Sequence, residues 1–135
     1  MIGSSPPLRW AVVLAHLDPA TGHEQGGSRR ALVVSYEPFH RAAVATICPI
    51  TAARSTPRYP NEVAIPVGEA GQTRAGVILC HQVRTISFTR IGNVLAPIGY
   101  VTDPSLRGQI RSALARHLDL DVPLGADGAT GHRVF

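Results

Sequence analysis

From Leu8 to Val101 the apolar residues come in short runs, each closed by glycine, proline or a polar loop. Runs this short, rich in Val, Ile, Leu and Tyr, predict strands rather than helices. LRWAVVLAHL (8–17) is the first and runs into the turn signal DPATG (18–22). RALVVSY (30–36) is the second, and its unbroken apolar stretch points to burial on both faces. VATICPI (44–50), the alternating EVAIPV (62–67), VILCHQVRTI (77–86) and a last short IGYV (98–101) follow. TAARSTPRYPN (51–61) is a polar loop too long for a tight hairpin. GEAGQTRAG (68–76) is a turn region, and SFTRIGNVLAP (87–97) fits at most a short helical turn.

TDPSLRGQIRSALARHLDL (102–120) is the single helix expected. Asp103 suits the N-cap and Pro104 the first helical position. Leu106, Ile110, Ala113, Leu114 and Leu118 share one face, and the simplest role for such a helix is to pack on the sheet. DVPLGADGATGHRVF (121–135) is glycine-rich and aperiodic, so a loosely held tail is expected beyond a domain spanning 1–120. Five or six short strands and one C-terminal helix predict a mainly β fold, a small barrel or strongly curled sheet.

No apolar run approaches the roughly 18 residues of a membrane span. MIGSSPPLRW has no basic start before a long apolar run, so no secretory signal is expected and the cytosol is the expected compartment. Cys48 and Cys80 lie in apolar runs without metal-ligand spacing, which reads as buried thiols; a disulfide or a reactive thiol is the alternative. The six histidines include no H-E-x-x-H, and P-loop and G-x-S-x-G motifs are absent, so no metal or cofactor is expected. All 13 cationic residues are arginine. Eight lie between residues 29 and 90 against Glu37, Glu62 and Glu69, a surplus that favours a polyanionic partner. Arginine's planar fork grips phosphate and stacks on bases.

The sharpest local feature is GHEQGGSRRALVV (22–34). Its glycines let the backbone approach a ligand closely. Arg29 stands at the mouth of the next strand, positioned to grip a phosphate, with Ser28 beside it. Such a loop also serves as a plain solvated connection, so other stretches must decide. Thr51 ends a strand, Arg54 and Arg58 follow in the next loop, and CHQVRT (80–85) presents Gln82 and Arg84.

Four ordered stretches over roughly 9–120 resemble the MazF/PemK toxins, endoribonucleases of type II toxin–antitoxin pairs. GHEQGGSRRALVVS (22–35) is similar to that family's G-x-E-Q-x-G-x-R-P-x-L-V signature, CPIT (48–51) to its third strand, and YPNEV (59–63) to Y-P-x-E-V. GVILCHQVRTI (76–86) is similar to G-V-x-L-x-x-Q-V-R-T/S-I. The resemblance implies an SH3-like barrel that forms a homodimer and is blocked by a small cognate antitoxin. It also implies metal-independent, sequence-dependent cleavage of single-stranded RNA, from mRNA, tRNA or rRNA, with arrest of translation and growth. The products would be a 2′,3′-cyclic phosphate and a 5′-hydroxyl. By resemblance Arg29 and Thr51 take the catalytic positions and Gln82 an RNA contact.

Such cleavage needs a proton acceptor, a donor to the 5′-oxygen and a stabiliser of the phosphorane. Arg29 suits the last but stays protonated and is a poor base. Histidine titrates near pH 6.5, which makes His23 a candidate acid or base, and Glu24 a candidate to hold Arg29. Arg58 and Tyr59 are candidates to stack on bases and Gln82 to read a base edge, although Tyr59 packing against its own loop is the simpler expectation. Arg30 stands where the family has proline, which removes a backbone restraint and adds charge next to Arg29. Trp10-Ala11 replaces Gly-Asp, and His16 replaces an acid. Two other readings remain: a toxin of this fold that binds a protein such as DNA gyrase without cutting anything, and a plain SH3-like interaction module. An aromatic content of 5% argues against the last.

Overall fold

The structure, a computed structural model, describes residues 5–120. The tail expected over 121–135 therefore lies outside the described residues. Seven strands form one antiparallel sheet: β1 (Ala11–His16), β2 (Ser28–Val33), β3 (Val44–Thr51), β4 (Glu62–Ile65), β5 (Gly76–Leu79), β6 (Arg84–Ser87) and β7 (Gly99–Tyr100). The order is β4-β5-β3-β2-β1-β7, with β6 also paired to β3. The helix α1 spans Pro104–His117, and Asp103 caps it by accepting from Ser105 N at 3.0 Å. Short 3-10 turns occupy Glu37–Ala42, Glu69–Gly71, Cys80–Gln82 and Phe88–Arg90.

Side chains alternate across a strand, and here both faces are covered. Val12, Leu32, Cys48, Ile50 and Ile78 pack with Leu106, Ile110 and Ala113 of α1. Ala11, Val13, Ala31, Val33, Ala45, Ile47 and Ile86 form a second core on the other face. That two-sided burial explains the unbroken apolar run in β2. The turn Glu69–Gly71 lies flat against β7, where an added Cβ at Gly99 would meet Ala70 C at 2.5 Å. The two ends of the strand order thus meet, and the sheet curls into a small SH3-like half-barrel.

The expected strand over 77–86 is broken. Ile50 faces Ile78 while Thr46 faces Thr85, so four steps along β3 match seven along the opposite chain. The surplus of three is the turn Cys80–Gln82, which leaves the ladder and carries His81 and Gln82 with it. Nothing in an apolar run marks such a slip, because both halves keep a buried face. Strand β2 begins at Ser28, before its apolar run, because His16↔Ser28 and Ala15↔Arg29 already pair with β1. Leu118 does not continue the packed face of α1. It is 52% exposed, because the helix ends at His117 and the chain turns away through Asp119 at φ 54. Ala115 is buried in the helix instead.

Candidate functional site

Strands β2 and β3 pair at Ala31↔Pro49. Two residues beyond that pair stand Arg29 on β2 and Thr51 on β3, at the end of the sheet where the 17–27 and 52–61 loops leave. Both positions share the parity of Ala31 and Ile47, so both belong to the face of the second core. Arg29 is half-buried, and its Nε donates to Gly26 O at 3.0 Å. Among the described residues no carboxylate lies within ion-pair distance of it. Thr51 is 9% exposed, and its Oγ1 accepts from Ala53 N at 3.2 Å, which fixes the start of the 52–61 loop. Gly76 lets β5 come this close, since an added Cβ would meet Thr51 O at 2.5 Å.

The 17–27 loop is tied down along its length. Asp18 Oδ1 accepts from Gly27 N at 2.9 Å, and Arg90 donates to Asp18 O at 2.7 Å. Gln82 Oε1 accepts from Gln25 N at 2.7 Å, and its Nε2 donates to His23 O at 3.2 Å. Arg84 reaches Leu17 O at 3.4 Å. Much of this anchoring comes from the Cys80–Gln82 turn and the β6 side, elements distant in sequence.

A cleft of about 590 Å³ is lined by His23, Glu24, Gln25, Pro49, His81, Gln82, Val83 and Arg84. A neighbouring one of about 340 Å³ is lined by Ser28, Arg29, Arg30, Ile50, Ala52 and Gln72. The structure thus brings His23, Glu24, Gln82 and Arg84 together, and sets Ser28 and Arg29 beside the residues that flank Thr51. Tyr59 is 59% exposed and meets the His81 ring edge-on.

Several expected roles change. Glu24 does not hold Arg29; its Oε1 accepts from Thr21 N at 2.6 Å within its own turn. Gln82 does not present an open edge, because both ends of its amide bind the loop backbone. Ser28 Oγ pairs with His16 Nδ1 at 2.6 Å. Arg54 does not stand ready for a phosphate. Its guanidinium is held bidentately by Glu62, at 2.8 and 2.7 Å. Arg58 is exposed, while its backbone N–H donates to Glu62 at 2.8 Å. Arg30 faces away from Arg29 and donates to Gln72 Oε1 at 3.1 Å and Gly71 O at 3.3 Å, so the charge that replaces proline ties β2 to the turn after β4.

Glu62 is the residue the sequence reading missed. Its side chain is 1% exposed, and it also accepts from His81 Nε2 at 2.7 Å. The Arg54 guanidinium, then the Arg58 amide and His81, hold its carboxyl at about 2 against the pull of burial. A lone acid opening a strand just after two arginines was the available signal. Cys48 and Cys80 are buried free thiols, and contact with Cys80 together with burial raises the Cys48 thiol. Among the described residues no group of three or more His, Cys, Asp or Glu side chains comes together to hold a metal ion. None of their helices is long and apolar enough to cross a membrane.

Residues 8–118 match the family described as PemK-like, MazF-like toxin of type II toxin-antitoxin system, and the chain belongs to that family. It is 38% identical over 86 residues to the endoribonuclease toxin ChpB of Escherichia coli (strain K12), covering 62% of this chain and 72% of that protein. It is 34% identical over 110 residues to endoribonuclease MazF9 of Mycobacterium tuberculosis, covering 77% and 89%. Among solved structures, MazF of Deinococcus radiodurans matches with a TM-score of 0.69 at 25% identity, over 87% of this chain and 100% of that one. A mycobacterial endoribonuclease in complex with its cognate antitoxin matches at 0.67 and 26%, with the same coverage.

Proposed function

We propose that this chain is a toxin endoribonuclease that cuts single-stranded RNA in a sequence-dependent way without a metal. The observation that carries the reading is Arg29: a guanidinium with no carboxylate partner among the described residues, anchored by a backbone carbonyl, on the strand next to the one that ends in Thr51. Such a group favours a phosphate whose charge grows during reaction. The RNA 2′-oxygen attacks phosphorus, the bond from phosphorus to the 5′-oxygen breaks, and a 2′,3′-cyclic phosphate and a 5′-hydroxyl result. The 2′-proton leaves to a base, and a proton must reach the departing 5′-oxygen. Arg29 meets the phosphorane oxygens, and Thr51 supplies a hydroxyl to a phosphate oxygen. His23, on the anchored loop, is the candidate proton carrier. Gln82 and Arg84 hold the loop against which the bases lie.

Relatives are named endoribonucleases, and one matched structure holds its cognate antitoxin. This supports a cognate antitoxin as the partner of this chain and arrest of translation and growth as the outcome of cutting. A homodimer completes the reading. The test is incubation of the purified protein with total RNA in EDTA, followed by sequencing of 5′-hydroxyl ends, with Arg29→Ala alongside. Discrete ends that vanish in the variant are the expected result. Absence of cleavage by the folded, antitoxin-free protein moves the assignment to a toxin that binds a protein target.

A further inference from the structure

A third cleft, of about 390 Å³, opens between the 52–61 loop and the end of α1. It is lined by Tyr59, Pro60, Asn61, His81 and Arg116. His81 lines both this cleft and the 590 Å³ cleft beside the anchored loop, so the two adjoin at that ring. Tyr59 meets His81 edge-on, with ring centroids 6.1 Å apart at 89°. The rest of the tyrosine ring faces outward. On the far side His81 meets the His117 ring at 6.5 Å, and Asn61 Nδ2 lies 3.2 Å from His117 Nδ1. The floor is rigid because His81 is bound to buried Glu62, whose charge Arg54 already balances.

We propose that this cleft is a nucleotide subsite for the RNA strand, set off from the cut. One unpaired base lies on the open part of the Tyr59 ring with its edge toward Asn61, and the adjoining phosphate meets Arg116. The inference rests on the endoribonuclease reading and extends it to α1, a helix that sequence alone credits only with packing. Three observations favour a nucleotide as the occupant. The cleft continues the candidate site through a shared side chain. An exposed aromatic ring suits any base, because every base has a stacking face. Arg116, exposed on the last turn of α1, places a guanidinium on the wall of this cleft, where it can meet a phosphate.

The test begins once the cut site is mapped. RNAs that span it are trimmed one nucleotide at a time from each end, and kcat/KM is measured for wild type, Tyr59→Ala, Tyr59→Trp and Arg116→Ala. Loss of one particular nucleotide should lower wild-type kcat/KM roughly tenfold. That drop should vanish in Tyr59→Ala and persist in Tyr59→Trp, since stacking rather than the hydroxyl is used. Arg116→Ala should shrink it and flatten its salt dependence. The same drop in all four proteins, or no length dependence in wild type, overturns the subsite while leaving the enzyme intact. A wild type that cuts no RNA overturns the enzymatic reading and the subsite with it.

Discussion

The loop between β1 and β2 runs into Arg29, whose Nε meets a backbone carbonyl and whose guanidinium meets no carboxylate among the described residues. The loop between β3 and β4 begins near Arg54, whose guanidinium is bound on two nitrogens by buried Glu62. The two loops leave the same end of the sheet and carry the same residue type, yet one arginine keeps its charge available and the other holds the protein together. The two loops are also fastened differently. Backbone-directed bonds from Gln82, Arg84 and Arg90 hold the first. One carboxylate at the centre of four bonds holds the second. A cation left without an acid near a strand end is available for chemistry, whereas one matched to a buried acid belongs to the architecture.

The largest effect should come from breaking the second loop at its centre. Glu62→Ala leaves Arg54 and the Arg58 amide without their partner and should cost roughly 3 kcal/mol or more of folding free energy, read by chemical denaturation. Arg29→Ala is the mirror case. It should lower the cleavage rate by about 3 kcal/mol of barrier, on the order of a hundredfold or more, while the denaturation midpoint stays near wild type. If Arg29→Ala unfolds the protein as readily as Glu62→Ala does, the contrast between the two arginines fails.

Acid sharpens the same contrast. The folded carboxyl of Glu62 is depressed from 4.5 to about 2, so its stabilisation is complete above about 4.5 and is lost as pH falls toward 2. The shift corresponds to on the order of 3 kcal/mol. Glu62→Gln should flatten the stability–pH profile in that window, as measured by denaturant titrations at pH 2 to 6. The smallest change should follow Gln82→Ala. Losing two bonds to the 23–25 backbone should cost about 1 kcal/mol, seen as faster hydrogen exchange at the Gln25 amide and a reduced cleavage rate.

Much of this molecule was legible in the chain. Short apolar runs announced the strands, Asp103-Pro104 announced the helix start, and the run in β2 announced two-sided burial. Four ordered stretches pointed to the toxin family to which the chain belongs. The candidate site was legible in part, because Arg29, Thr51 and Gln82 stand at motif positions. The partners of those residues were not. Glu24 and Arg54 sit near Arg29 and Thr51 along the chain, but their bonds go to Thr21 and Glu62.

Local residue chemistry is written in the sequence, because turn residues, caps and the alternation of apolar side chains act within a few positions. Which charge meets which acid depends on groups tens of residues apart, brought together only when the sheet curls. The slip between β5 and β6 shows the difference most plainly. The residues of 77–86 favour one continuous strand, and only the pairing of both halves to β3 forces three of them out of the ladder. That turn puts His81 against Glu62 and Gln82 against the 17–27 loop. The shape of this end of the molecule was therefore decided by register, a property of two strands together rather than of either alone.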